Sequence, residues 1–70
     1  MIPDWNTAPR WAQYTAMDID ALGSRWFWYA EKPAYDEKLR FWMPSEGIME
    51  PVGIPGDIAV DPTTTLEARP

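Results

Sequence analysis

The side chains that drive most enzymatic chemistry are scarce in this sequence. It contains no cysteine and no histidine. Nucleophilic catalysis by a Ser–His or Cys–His pair is therefore closed to it, and the commonest transition-metal ligands are missing. Ser24 and Ser45 stand alone among turn-forming neighbours. Carboxylate pairs are what remain. Asp18 with Asp20, and Asp36 with Glu37, are close enough in sequence for acid–base work. Both pairs fall in segments that read as turns, where acids are ordinarily solvated. The stretch from Asp18 starts like a calcium loop, with Asp18, Asp20 and Gly23 at its first, third and sixth places. Leu22 and Tyr29 then occupy the fifth and twelfth places, which need oxygen ligands. There is no glycine-rich phosphate loop. The expectation is a protein that is not an enzyme and carries no metal or cofactor.

Binding chemistry is better represented. Residues 25–30 (RWFWYA) are the strongest strand signal, and residues 39–43 (LRFWM) form a second. Side chains alternate between the two faces of a strand. If the segments are neighbours, one shared face is apolar, with Trp26, Trp28 and Ala30 against Leu39, Phe41 and Met43. These are the expected core. The opposite face carries Arg25, Phe27, Tyr29, Arg40 and Trp42, the expected binding face for a protein or ligand. Guanidinium groups beside aromatic rings form cation–π pairs. The same groups dominate interface hot spots and can stack bases. The plainer alternative is that the arm and a long loop cover this second face.

The elements that must hold these side chains follow from pattern and punctuation. Residues 1–10 are broken by Pro3 and Pro9 and read as an extended arm anchored by Trp5. Residues 11–17 read as a strand, and 18–24 as a turn rich in Asp and Gly. Residues 31–38 make a charged connection. Pro44 closes the third strand, since proline cannot donate to a central ladder. Residues 44–57, with three prolines and three glycines, predict a packed loop. Residues 58–60 predict a short closing strand. Asp61 and Pro62 then suit a helix cap and first position, with Thr64 and Glu67 at capping-box spacing, enough for one turn. The expected fold is mostly β. It is a single domain over 1–70: an arm (1–10), a three- to four-stranded antiparallel meander (11–43) or SH3-like open barrel, and a packed loop and tail (44–70).

Composition bounds the rest. At about 25 cal/mol per Å², apolar burial contributes on the order of 110 kcal/mol for a chain of this mass. Ordering the chain costs roughly 105 kcal/mol. So narrow a margin points to tight aromatic packing, for which five Trp, three Tyr and two Phe are available, and to self-association. Eight prolines add stability by restricting the unfolded chain. The net charge of −5 argues against nucleic-acid binding and against docking on anionic membranes. No apolar run approaches a transmembrane span, and the N-terminal residues lack the regions of a signal peptide.

The ends of the sequence carry a further pattern. Trp5-Asn6-Thr7-Ala8-Pro9-Arg10-Trp11-Ala12 resembles the opening W-x-x-A-P-x-x-A of many small bacteriophage and prophage accessory proteins. The acidic turn before Trp26-Phe27-Trp28 is similar to theirs, and Leu66-Glu67-Ala68-Arg69-Pro70 resembles their closing L-x-x-R-P. The chain differs by inserting Ala21-Leu22 in the acidic turn and by lacking a tryptophan before the closing motif. The resemblance implies a phage origin and a small β fold. It does not imply an activity; the aromatic–Arg face, the small size and the absence of catalytic groups lead instead to the expectation of a protein of the host cytoplasm that inhibits a host protein, a component of anti-phage defence, by stoichiometric binding. An oligomeric sponge for a nucleotide immune signal and a minor virion or assembly protein are the alternatives.

Overall fold

A computed structural model describes residues 2–70; Met1, the first residue of the expected arm, lies outside the described residues. The fold is mostly β and antiparallel, and it is not a closed barrel. Among the described residues six strands run in chain order: β1 (Tyr14–Asp20), β2 (Gly23–Tyr29), β3 (Ala34–Asp36), β4 (Phe41–Met43), β5 (Met49–Pro55) and β6 (Glu67–Ala68). Four of them form one sheet in the order β5-β2-β1-β6, while β3 and β4 pair only with each other. The accessible surface is 4769 Å², close to the roughly 4,500 Å² that its mass predicts.

The central hairpin is set by residue chemistry at its tip. β1 and β2 pair from Tyr14↔Tyr29 to Asp20↔Gly23, leaving Ala21 and Leu22 as the turn. The Asp20 carboxylate accepts from the Leu22 N–H at 2.8 Å. Gly23 takes a φ of 120°, a value that only glycine adopts without strain. Asp18–Asp20 therefore belong to β1, and the expected turn over 18–24 shrinks to two residues.

Each face of the sheet is covered over part of its area. On one face Thr15, Met17, Trp26 and Trp28 are buried. The arm lies over this face, with the Trp5 ring 4.9 Å from that of Trp28. The segment after β5 covers the rest, where the Thr65 hydroxyl accepts from the Met17 N–H at 2.9 Å. On the opposite face Ala16 and Tyr29 are buried beneath Trp42 of the β3–β4 hairpin. Ala16 is small enough to let that indole settle on the sheet. Trp26 and Trp28 thus fill the core as expected from the alternation.

The 39–43 segment departs from expectation. It pairs with Ala34–Asp36 and not with β2, and only Phe41–Met43 is strand. Asp36 is the cause: its carboxylate accepts from the N–H groups of Lys38 and Leu39, which folds 37–40 into a hairpin tip. The faces of the segment are consequently reversed. Trp42 is buried at 6% exposure, whereas Leu39 at 59% and Met43 are exposed. Phe41 and Ala30 are only partly buried. Leu39 and Met43 are not core residues, because the hairpin lays its even side, not its odd side, on the sheet.

The Pro- and Gly-rich stretch expected to be a loop contains β5, and the expected strand at 58–60 is a turn. β5 tolerates prolines because it is an edge strand. Ala30 N–H donates to Ile48 O, and Gly56 N–H donates to Ser24 O. Even-numbered residues of β5 thus face β2, while Pro51 and Pro55 stand where an N–H would point outward. That blunts the edge against further pairing. Three residues of β5, centred on Gly53 at φ 85°, bulge opposite Trp26. After β5, Asp61 caps a single 3-10 turn at Pro62–Thr64, as expected, by accepting from Thr63 N–H. Glu67 is no capping-box partner; it lies in β6 and accepts from the Trp5 indole N–H at 2.9 Å.

The two terminal motifs meet. Arg69 donates to the carbonyls of Pro9 at 3.0 Å and Ala12 at 2.7 Å. Its guanidinium also lies 5.6 Å from the centre of the Trp5 ring. Leu66 packs against the Ala16–Tyr29–Trp42 cluster. Trp5, Pro9 and Ala12 of W-x-x-A-P-x-x-A and Arg69 of L-x-x-R-P thereby join the arm to the tail.

Candidate functional groove

The five residues expected to share a binding face do not all share one. Tyr29 is 1% exposed and Trp42 is nearly as buried, so both belong to the core. Neither is available to a partner, because the β3–β4 hairpin closes over this half of the sheet. Burial, and secondarily the charge of Asp18, push the Tyr29 hydroxyl above its ordinary pKa. That hydroxyl has no hydrogen-bond partner among the described residues.

Beyond the hairpin the same face stays open. A groove of about 310 Å³ runs between the ends of β1 and β2 and the hairpin tip, lined by Asp18, Ile19, Asp20, Arg25, Phe27, Leu39, Arg40 and Phe41. It adjoins a cavity of about 480 Å³ that shares Ile19 and Arg40 and adds Tyr35, Glu37 and Pro62. The structure thus gathers Arg25, Phe27 and Arg40 at one place. Leu39 and Phe41, expected in the core, join them. The signal that could have moved these two is Asp36, an acid placed to cap the turn that lifts Leu39 off the sheet.

Each charged group has a definite setting. Arg25 is ion-paired with Asp20 and lies 5.5 Å from the centre of the Phe27 ring. The backbone N–H of Leu22 and the Arg25 guanidinium hold the Asp20 carboxyl below its usual pKa. Asp18 sits opposite Arg25 in the β1–β2 register and accepts from the Trp42 backbone N–H at 2.8 Å. Its half-buried carboxyl is pushed up, because desolvation outweighs that hydrogen bond. Arg40 differs from the others. It makes no ion pair among the described residues, the single pair being Arg25–Asp20. Its backbone adopts φ 59°, unique among the described non-glycine residues.

The walls are apolar and the charges mixed, which suits recognition of a chain with both kinds of group. No family model matches the chain, and neither the curated proteins nor the solved structures yield a match.

Proposed function

We propose that this protein is a non-enzymatic binding protein that inhibits a partner protein by stoichiometric occupation, using the groove between the hairpin tip and the ends of β1 and β2. The observation that carries this reading is the exposure of Leu39 at 59% beside the unpaired Arg40, over a groove with aromatic walls. Arginine beside tyrosine and phenylalanine, here Arg40 with Tyr35, Phe27 and Phe41, is the composition enriched at protein interfaces, and Leu39 adds exposed apolar surface for a partner to cover. Strand addition is a poor alternative, since prolines blunt the β5 edge and β6 is two residues long. The resemblance to phage accessory proteins makes the partner a host protein, and a component of anti-phage defence is the class that fits.

The test is capture from host lysate with tagged protein, comparing wild type with Leu39→Glu. A single partner retained in stoichiometric amount by wild type and lost with Leu39→Glu, at unchanged melting temperature, supports the groove. Equal capture by both proteins refutes it. Trp42→Ala is no substitute for this test, because it removes a core side chain.

A nucleotide sponge is the second reading. It draws on Tyr35 and Arg40 lining the same cavity of about 480 Å³. Glu37 in that cavity, and Asp18 and Asp20 next to it, weigh against a phosphate. A thermal-shift screen with cyclic and linear nucleotides decides: a ligand at a hundredfold excess over Kd stabilises by about 2.7 kcal/mol.

A further inference from the structure

Arg40 occupies a place where its side chain is a burden on the backbone. It closes the four-residue tip between Asp36 and Phe41, with its N–H donating to Asp36 O at 2.7 Å. At φ 59° a glycine would serve the turn without the clash that a Cβ brings. Strained side chains persist where the rest of the fold holds them, and they cluster at ligand clamps. Arg40 lines both halves of the groove. Arg25, the other cation there, is already taken by Asp20.

We infer that Arg40 is the specificity-determining residue of this groove and that it receives a single carboxylate borne by an apolar peptide segment of the partner protein, an inference that rests on the groove reading above. Arg40, the cation of the groove with no ion pair among the described residues, calls for an anion, and the surrounding carboxylates limit that anion to a single charge. Asp18, Asp20 and Glu37 line the groove with Arg25 and Arg40, which leaves its lining with one negative charge in excess. A phosphate dianion meets a net negative surface with one free cation. A carboxylate carries one charge and fits the planar two-hydrogen-bond fork of one guanidinium. The apolar requirement comes from Ile19, Tyr35, Leu39, Phe41 and Pro62, which line the groove with Arg40. An acidic side chain and a chain-terminal carboxylate offer the same group.

Three short leucine-rich peptides separate these sources. The first carries a glutamate side chain and an amidated end. The second has glutamine there and a free terminal carboxylate. The third has glutamine and an amidated end, hence no charge. Each is titrated into isotope-labelled wild type and Arg40→Gly while the backbone amide signals of Ile19, Tyr35, Arg40 (Gly in the variant) and Phe41 are followed. At least one carboxylate peptide should bind wild type about tenfold more tightly than the neutral peptide, the scale of a charge-assisted fork. Arg40→Gly should abolish that preference while keeping the wild-type spectrum elsewhere, and inorganic phosphate should move none of the four signals. Equal binding of the neutral peptide, a preference that survives in Arg40→Gly, or tighter binding of phosphate overturns the inference. So does silence from all three peptides. In any of these cases loss of lysate capture with Leu39→Glu leaves the groove reading standing, whereas unchanged capture removes that reading as well.

Discussion

Asp18 ties the β3–β4 hairpin to the sheet, and its replacement by Ala and by Asn separates two roles of one carboxylate. Its Oδ1 accepts from the Trp42 N–H at 2.8 Å, and the Trp42 residue is buried. Ala removes the acceptor and leaves that donor without a partner, at a cost of about 1–3 kcal/mol. With about 2 kcal/mol as the central figure, the melting temperature falls by roughly 8–16 °C for a domain of this size. Asn keeps an acceptor oxygen in the same place and discards the half-buried charge, whose desolvation raises the Asp18 pKa. Stability at pH 7 should then equal or exceed wild type. The pH dependence has a definite sign. Because the folded pKa lies above the usual 3.8, the folded state binds more protons in that window. Wild type therefore gains stability as pH falls from neutral through the folded value to 3.8, and Asp18→Asn does not. Asp20 and Asp61 have lowered values; their stabilising effect is lost below 3.8, outside the window compared. Urea melts followed by tryptophan fluorescence at several pH values provide the measurement. An Ala variant within about 0.5 kcal/mol of wild type, the scatter of ordinary surface changes, refutes the argument. So does an Asn variant as damaged as Ala.

Other perturbations test other parts of the fold. Trp42→Ala should cost about 3–5 kcal/mol, comparable with the whole stability of a small domain, and circular dichroism should show a largely unfolded chain at 37 °C. Arg40→Gly should leave stability unchanged or raise it by up to about 1 kcal/mol, since relief of the left-handed strain opposes the entropy of glycine; a loss above about 1 kcal/mol in urea melts contradicts the strain. Gly56→Ala should destabilise by about 1–3 kcal/mol, because the new Cβ would lie 2.7 Å from the Met17 sulfur and 2.8 Å from the Ser24 hydroxyl, and Met17 is too buried to retreat. Arg69→Lys should weaken the joint between arm and tail, seen as faster hydrogen exchange at Ala12 and Gln13 with the β1–β2 core less affected; unchanged exchange there contradicts the joint.

The sequence revealed the sheet better than the groove. Alternation of period two placed Trp26 and Trp28 in the core, because a strand inside a sheet has only two sides to offer. Strand bounds moved by a few residues at β1, where Asp18 and Asp20 look like turn residues yet serve as a hairpin support and a carboxylate acceptor. β5 was illegible because the residues that disqualify a central strand are the ones that protect an edge. The 39–43 segment misled for a different reason. Its own alternation is real, but its partner could not be read from it, and pairing with Ala34–Asp36 turns the opposite side inward. Of the proposed face, Arg25, Phe27 and Arg40 stay together, while Tyr29 and Trp42 are claimed by the hairpin. The left-handed backbone of Arg40 leaves no trace in residue type, since arginine is a poor choice for such a site.

The joint made by Arg69 has a consequence for how the protein comes into being. A ribosome releases Pro9 and Ala12 long before it adds the arginine that holds their carbonyls. β6 and the Trp5–Glu67 hydrogen bond arrive equally late. The indoles of β2 must wait, partly uncovered, until almost the whole of this segment has been synthesised. Closure of the domain is then a late event on the nascent chain, and a product truncated before Leu66 should be a substrate for proteases rather than a smaller working version.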